Sequence, residues 1–207
     1  MRKGVSLILS APSGAGKTTI CKALRGHLPD LKFAVSHTTR DMRKGEVEGV
    51  DYFFVSQNDF EAKINNKELL EWAKVHDRFY GTSFQSAENP LNNGYDTLLE
   101  LDIQGVKALR DMEYLGIYIL IFPPSIEELE SRLRKRGTDT EEHIQLRINT
   151  GKKEIKKYKM YDYVLTNYVV EDTVNVILAI LQAEKSRAHL YTPTSSDIKD
   201  LLQNGVD

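Results

Sequence analysis

The sequence predicts an α/β fold in which a parallel β-sheet is covered by helices. Three observations carry that reading. Short, apolar, β-rich runs alternate with helical periodicities along most of the 207 residues. The string SAPSGAGKTT, residues 10–19, lies between the first such strand and the first such helix, where a phosphate-binding loop belongs. A hydrophobic content of 41% over this length suffices for the core of one domain, with room for small inserted lobes.

The elements follow in order. Val5 to Leu9 forms the first strand, and Ile20, Cys21, Leu24 and Leu28 recur at helical spacing over Thr18 to Leu28. Tyr95 to Leu101 returns as a second apolar strand, with a helix beginning near Gln104. Ile117 to Phe122 and Tyr163 to Leu165 add two more strands, and a long helix from Thr173 to Leu190 puts Val174, Ile177, Leu178 and Leu181 on one face. Residues 34–90 differ: the runs Phe33–Ser36, Tyr52–Val55 and Leu69–Ala73 are separated by turns and by one helix that Ser56 caps, with Asp59 three residues on. This reads as an inserted α+β lobe. In a second excursion, residues 125–158, Ser125 and Glu128 form a capping box, Gly137 breaks the helix and another starts near Thr140. The stretch 191–207 is polar; Ile198, Leu201 and Leu202 would suit a short docked helix.

Composition excludes several classes. A formal net charge of -2 provides no global field for nucleic acid or an anionic membrane. The single cysteine, Cys21, excludes an internal disulfide framework and reads as a packed helix side chain. No apolar stretch approaches the roughly 18 residues of a membrane span, and none resembles a cleavable signal, so a cytoplasmic location is expected. Self-association is left open.

Three groups carry chemistry. In the loop, Gly14 and Gly16 let backbone amides turn inward at a helix N-terminus, Lys17 reaches the β- and γ-phosphates, and the Thr18 hydroxyl suits Mg²⁺. Ala11 stands where the glycine of G-x-x-x-x-G-K-[ST] is usual, which is tolerable at negative φ. In the inserted lobe, Arg40 and Arg43 lie beside Ser36, Thr38 and Thr39, and Tyr52 and Tyr80 add phenolic donors, a set suited to a phosphate. Between residues 132 and 159, ten lysines and arginines face four acidic residues. Arg132 and Arg136 share a helix face, with Arg147 beyond. Like charges there repel unless an anion intervenes, which fits a lid over a triphosphate. Glu100 to Gly105 ends a buried strand with acids that can hold Mg²⁺ or its water, yet Asp102-Ile103-Gln104-Gly105 also matches the D-x-x-G of GTPases. The N-K-x-D guanine signature of those proteins is approached only by Asn66-Lys67-Glu68-Leu69, which lacks the aspartate.

Taken together, the motifs APSGAGKTT, VSHTTRDMRKGEVEGVDYFFV, LLEWAKVHDRFYGTS, LLELDIQGV and RLRKRG, with Arg147 downstream, resemble the guanylate kinase family in order and spacing over most of residues 5–170. The resemblance implies a P-loop nucleoside monophosphate kinase fold that transfers a phosphoryl group from ATP to GMP, and to dGMP, with Mg²⁺ as cofactor. It divides residues 1–190 into a core (1–33, 91–124 and 159–190), a GMP-binding lobe (34–90) and a helical lid (125–158), followed by the tail 191–207. It implies that Ser13, Gly14, Ala15, Gly16, Lys17, Thr18 and Thr19 hold the donor, with Thr18 on the metal. Arg40, Arg43, Tyr52 and Tyr80 would grip the GMP phosphate, and Ser36, Glu71 and Thr82 would read guanine. Asp102 would sit beside GMP or the metal, while Lys17, Arg132, Arg136 and Arg147 act on the migrating group. One departure is Glu100, where the family usually has aspartate two residues before Asp102. Ala11 recurs in the family.

Other residues read more plainly. His37 suits a structural role because the transfer has no proton to remove, and Trp72 suits the core. Asn167 suits either a turn or an adenine contact, and the lysines at 152, 153, 156, 157 and 159 suit a solvated helix face. Two other functions stay open: a guanylate kinase-like protein-binding module without catalysis, and a kinase for another small phosphate ester.

Overall fold

The computed structural model describes residues 4–75, 77–135, 140–190, 195, 196 and 198. Arg136 and Gly137 lie outside them, as do Leu201 and Leu202. Five strands form an all-parallel sheet in the order β2 (Lys32–Phe33), β7 (Thr97–Glu100), β1 (Ser6–Ser10), β8 (Ile117–Phe122) and β9 (Tyr163–Thr166). Period-two alternation splits their side chains between two layers. On one face Leu7, Leu9, Leu98, Ile119 and Ile121 pack beneath α1 (Lys17–His27) and α7 (Val170–Lys185). On the other, Ile8, Leu99, Leu101, Tyr118 and Leu120 pack beneath α3 (Phe84–Asn92) and α4 (Ile103–Asp111). Both faces are covered, which explains why these strands read as continuous apolar runs.

A second sheet, ordered β4 (Phe53–Phe54), β3 (Ser36–Thr38), β6 (Arg78–Ser83) and β5 (Leu69–Val75), carries α2 (Gln57–Asn65). Ser56 caps α2 as expected, its hydroxyl accepting from Asp59 N at 3.1 Å. The run Phe33–Ser36 is not one strand: Phe33 pairs with Leu98 in the first sheet, whereas Ser36 pairs with Thr82 in the second. Helix α3, a second helix beyond the one expected in residues 34–90, forms despite Pro90 and the turn-favouring Asn92-Asn93-Gly94 that follow its start, because Ala87 and Leu91 anchor it against the core. Helix α7 starts one turn before the expected Thr173.

The excursion after β8 holds α5 (Ile126–Lys135) and α6 (Glu141–Ile155), capped by Ser125 and Thr140. Leu129, Leu133, Ile144 and Ile148 give the pair a small core of its own. No helix among the described residues is long and apolar enough to cross a membrane.

Candidate active site

The string 12–19 leaves β1 and enters α1 through a tight turn: Ala15 N donates to Pro12 O at 3.0 Å, and Gly14 and Gly16 take φ of 97° and 100°. Glycine is required at residue 16 for a second reason. A Cβ there would stand 2.5 Å from Asn167 Nδ2, and that amide donates to Ala15 O at 2.9 Å. Asn167 is buried, and its Oδ1 accepts from Thr173 Oγ1 at 3.2 Å. It thus ties the loop to the corner between β9 and α7.

Lys17 Nζ donates to Leu101 O at 2.8 Å and lies 3.9 Å from Glu100 Oε1. Thr18 Oγ1 donates to that same carboxylate oxygen at 2.9 Å. Two hard oxygens side by side at the loop are the donor type Mg²⁺ takes. Among the described residues no group of three or more His, Cys, Asp or Glu could enclose a metal. The rest of the shell would therefore come from phosphate oxygens and water, the usual Mg²⁺ arrangement. Glu100, one methylene longer than the aspartate expected there, reaches the Thr18 hydroxyl without difficulty.

Cross-strand register assembles the second half of the site. Ser36 pairs with Thr82, and Thr82 with Glu71, so the three share one row across β3, β6 and β5. A bulge between Leu69 and Glu71 makes this work: Leu70 enters the core and Glu71 turns toward Thr82. Thr82 N and Oγ1 both donate to Glu71 Oε1, at 2.9 and 2.7 Å, and Ser36 Oγ lies 2.9 Å from Thr82 Oγ1. Glu71 is only 8% exposed, and burial pushes its carboxyl up to about 7 against the pull of Thr82. Its Oε2 lies against Gly105, where an added Cβ would stand 2.9 Å away. The D-x-x-G string is thereby accounted for: Asp102 caps α4 through Gly105 N at 2.9 Å, and Gly105 leaves space for the Glu71 carboxylate.

Two residues along the same face, about 7 Å away, Tyr80 meets Tyr52 edge-on at 6.0 Å between ring centroids. Arg40 lies over the Tyr52 ring at 5.0 Å and forks onto Glu46. Arg43 is exposed, and its backbone N, not its guanidinium, binds Glu46, at 2.8 Å. A cavity of about 200 Å³ joins these rows, lined by Ser36, Glu71, Tyr52, Tyr80, Lys17 and Asp102. It adjoins a cleft of about 980 Å³ over Ser13, Gly14, Gly16 and Thr18, and Lys17, Tyr52, Val75 and Asp102 line both.

Helices α5 and α6 overhang that cleft. Arg132 Nε donates to Glu128 Oε1 at 2.8 Å, while its Nη1 and Nη2 stand 3.5 Å from Ala15 O and Asn167 O. Arg147 Nη1 stands 3.5 Å from Ser13 Oγ. Glu154, not foreseen from the sequence, lines the cleft with its carboxyl raised by burial and by Asp102. Arg136 is the one expected site residue outside the described set.

Two expectations change. Trp72 is 45% exposed rather than core, because it shares the outer face with Phe79, 5.9 Å between rings. Asn167 braces the loop, a use that neither turn nor adenine contact anticipated. His37 is buried on the face opposite the cavity residues, 4.9 Å from the Phe53 ring, with its pKa lowered by burial and by Lys63.

Comparison with known proteins completes the site. A family model described as guanylate kinase matches residues 3–184. The guanylate kinase of Halalkalibacterium halodurans is 47% identical over 182 residues, covering 88% of this chain and 89% of that protein. That of Carboxydothermus hydrogenoformans is 42% identical over 206 residues, covering 100% and 98%. The crystal structure of guanylate kinase from Anaplasma phagocytophilum superposes with a TM-score of 0.76 at 33% identity, covering 99% of this chain and 96% of that one.

Proposed function

The chain belongs to the guanylate kinase family and has its phosphate-loop nucleoside monophosphate kinase fold, and from that premise we propose that it is a phosphotransferase moving the γ-phosphoryl group of ATP onto GMP. We extend the reading to dGMP, because base and phosphate carry the recognition. The observation that supports it most is Glu71. Its Oε1 accepts twice from Thr82, and its Oε2, without a partner among the described residues, is left for a ligand at the back of a cavity that opens onto the phosphate loop. Guanine presents two adjacent donors, N1–H and the exocyclic amine, to such an acceptor. Adenine presents an acceptor at N1 and would leave the buried carboxylate unpaired.

In this reading the core comprises residues 1–33, 91–124 and 159–190, the acceptor lobe 34–90 and the lid 125–158. Ser13 to Thr19 cradle the donor phosphates on backbone amides, and Lys17 faces the oxygen shared between donor and migrating group. Thr18 and Glu100 would hold Mg²⁺, which when bound would neutralise charge on the donor phosphates. Arg40, Arg43, Tyr52 and Tyr80 take the acceptor phosphate; Ser36, Glu71 and Thr82 take the base; Asp102 stands between the two nucleotides. Arg132 and Arg147, with Arg136, cover the transferring group and exclude water. No general base is needed, because a phosphate monoester oxygen is already ionised near neutral pH. Catalysis is then alignment and charge stabilisation.

A coupled ADP-release assay with ATP and Mg²⁺, run with GMP, dGMP, AMP, UMP or no acceptor, tests this directly. Release is expected with GMP and dGMP alone. Release without an acceptor, or none with GMP, would refute the assignment.

A further inference from the structure

Arg40 is held from behind. Its Nη1 and Nη2 donate to Glu46 Oε2 and Oε1 at 2.7 and 2.6 Å, and Nη1 gives its other hydrogen to Asp41 O at 2.8 Å. A guanidinium is a rigid plane with five N–H donors. The three bonds engage both Nη1 hydrogens and the Nη2 hydrogen beside them. What remains is Nε–H and the outer Nη2–H, which point the same way and make a second two-donor edge. Neither has a partner among the described residues.

The holder is fixed independently of any ligand. Glu46 N donates to Arg43 O at 3.1 Å, Gly45 takes φ of 91°, and Glu46 Oε2 also accepts from Arg43 N at 2.8 Å. A tight turn at 43–46 therefore sets where the carboxylate stands. Arg40 and Glu46 side chains are 11% and 20% exposed, and the Arg40 guanidinium, helped by the Arg43 backbone N–H, holds the Glu46 carboxyl down at about 2, so it stays charged. The plane of Arg40 is further fixed over Tyr52 at 5.0 Å and Phe54 at 5.5 Å. Tyr52 and Tyr80 line the acceptor cavity, so the guanidinium stands at its edge.

We infer that Glu46 is a positioning residue for the acceptor phosphate: it occupies the end edge of Arg40 so that the side edge, Nε–H with Nη2–H, is presented to a phosphate monoester. A carboxylate competing with the phosphate would be mobile and would take whichever edge the phosphate needs. Glu46 is anchored by its own turn and leaves a complete edge available. The inference rests on the function proposed above and adds a residue that function did not use.

Calorimetry with GMP and with guanosine, which has the base but no phosphate, tests it in the full chain. Glu46→Gln should weaken GMP about tenfold, the scale of one lost charge-assisted hydrogen bond, and leave guanosine unchanged. In an Arg40→Ala background the same substitution should have no further effect on GMP, since the guanidinium it orients is gone and a glutamine oxygen still accepts from Arg43 N. Unchanged GMP affinity overturns the inference, and tighter GMP binding overturns it in favour of a competing carboxylate. Equal losses for GMP and guanosine also overturn it, because they mark damage to the whole lobe. If Glu46→Gln does not fold, Glu46→Asp, which keeps the charge but withdraws it by one methylene, makes the same comparison. Failure of the wild-type chain to release ADP with GMP would instead refute the function itself, so the two failures are distinguishable.

Discussion

The two halves of the site are built by opposite means. The proposed donor half is a run of consecutive residues, 12–19, which would offer mostly backbone amides turned inward by two glycines at positive φ. The acceptor half gathers side chains from β3, β5, β6 and the loop 40–52, and places them by register and one bulge. The first depends on local dihedrals, with one distant brace from Asn167 to Ala15 O. The second depends on strand pairing, so each member is exposed to errors made at a distance.

The largest expected effect lies in the donor half. Lys17→Ala should lower kcat about a thousandfold, the scale of a lost group aimed at developing charge. It should alter stability by no more than about 1 kcal/mol, because the change removes one hydrogen bond, to Leu101 O, and a loose 3.9 Å ion contact with Glu100. Parallel losses of activity and melting temperature would erase the contrast, since the lysine would then be part of the scaffold. In the acceptor half, Glu71→Gln should cost about a hundredfold in kcat/KM for GMP, from two charge-assisted hydrogen bonds, with KM for ATP unchanged. Retained preference over AMP in a steady-state assay would remove Glu71 from guanine recognition.

Titration sharpens the same comparison. With its pKa raised to about 7, Glu71 is largely protonated at pH 6 and largely ionised at pH 8. Guanine needs the ionised form. The dissociation constant of guanosine should therefore rise about tenfold from pH 8 to pH 6, and a flat profile in the parent, or the same slope in Glu71→Gln, would contradict it. Stability runs the other way. A folded pKa above the unfolded 4.5 gives stabilisation that is complete below pH 4.5 and lost as pH rises through about 7. The ligand-free protein should melt at lower temperature at pH 8 than the Glu71→Gln variant.

The smallest effect belongs to Gly105. Alanine there should favour helix α4 by roughly 0.5–1 kcal/mol, yet its Cβ would crowd Glu71 Oε2. A raised melting temperature with KM for GMP raised about threefold is expected. A variant equally stabilised with unchanged GMP affinity would show that Glu71 can move aside.

The donor half was legible because its signals are local. A strand, glycines at fixed offsets, Lys17-Thr18 and a helix period occupy one short window, and helix caps such as Ser56 and Ser125 are equally local. In the acceptor half the phosphate set of Arg40, Arg43, Tyr52 and Tyr80 was legible from donor chemistry and the base readers Ser36, Glu71 and Thr82 through resemblance, but their joint geometry was not. Nothing in the string announces that Leu70 bulges, that Phe33 and Ser36 belong to different sheets, or that Trp72 faces outward. Helix α3 was hidden by Pro90, whose local preference was overridden by burial of Ala87 and Leu91. By itself the sequence determined the alternation of strand and helix, the phosphate loop and the stock of arginines and acids, all properties of short windows. Tertiary structure alone decided that Glu100 faces Thr18, that Asn167 braces Ala15, that Glu71 is buried with one oxygen unpartnered among the described residues, and that Glu46 stands behind Arg40. Those are contacts between segments distant along the chain or set by a turn, and only packing and register fix which atoms then meet.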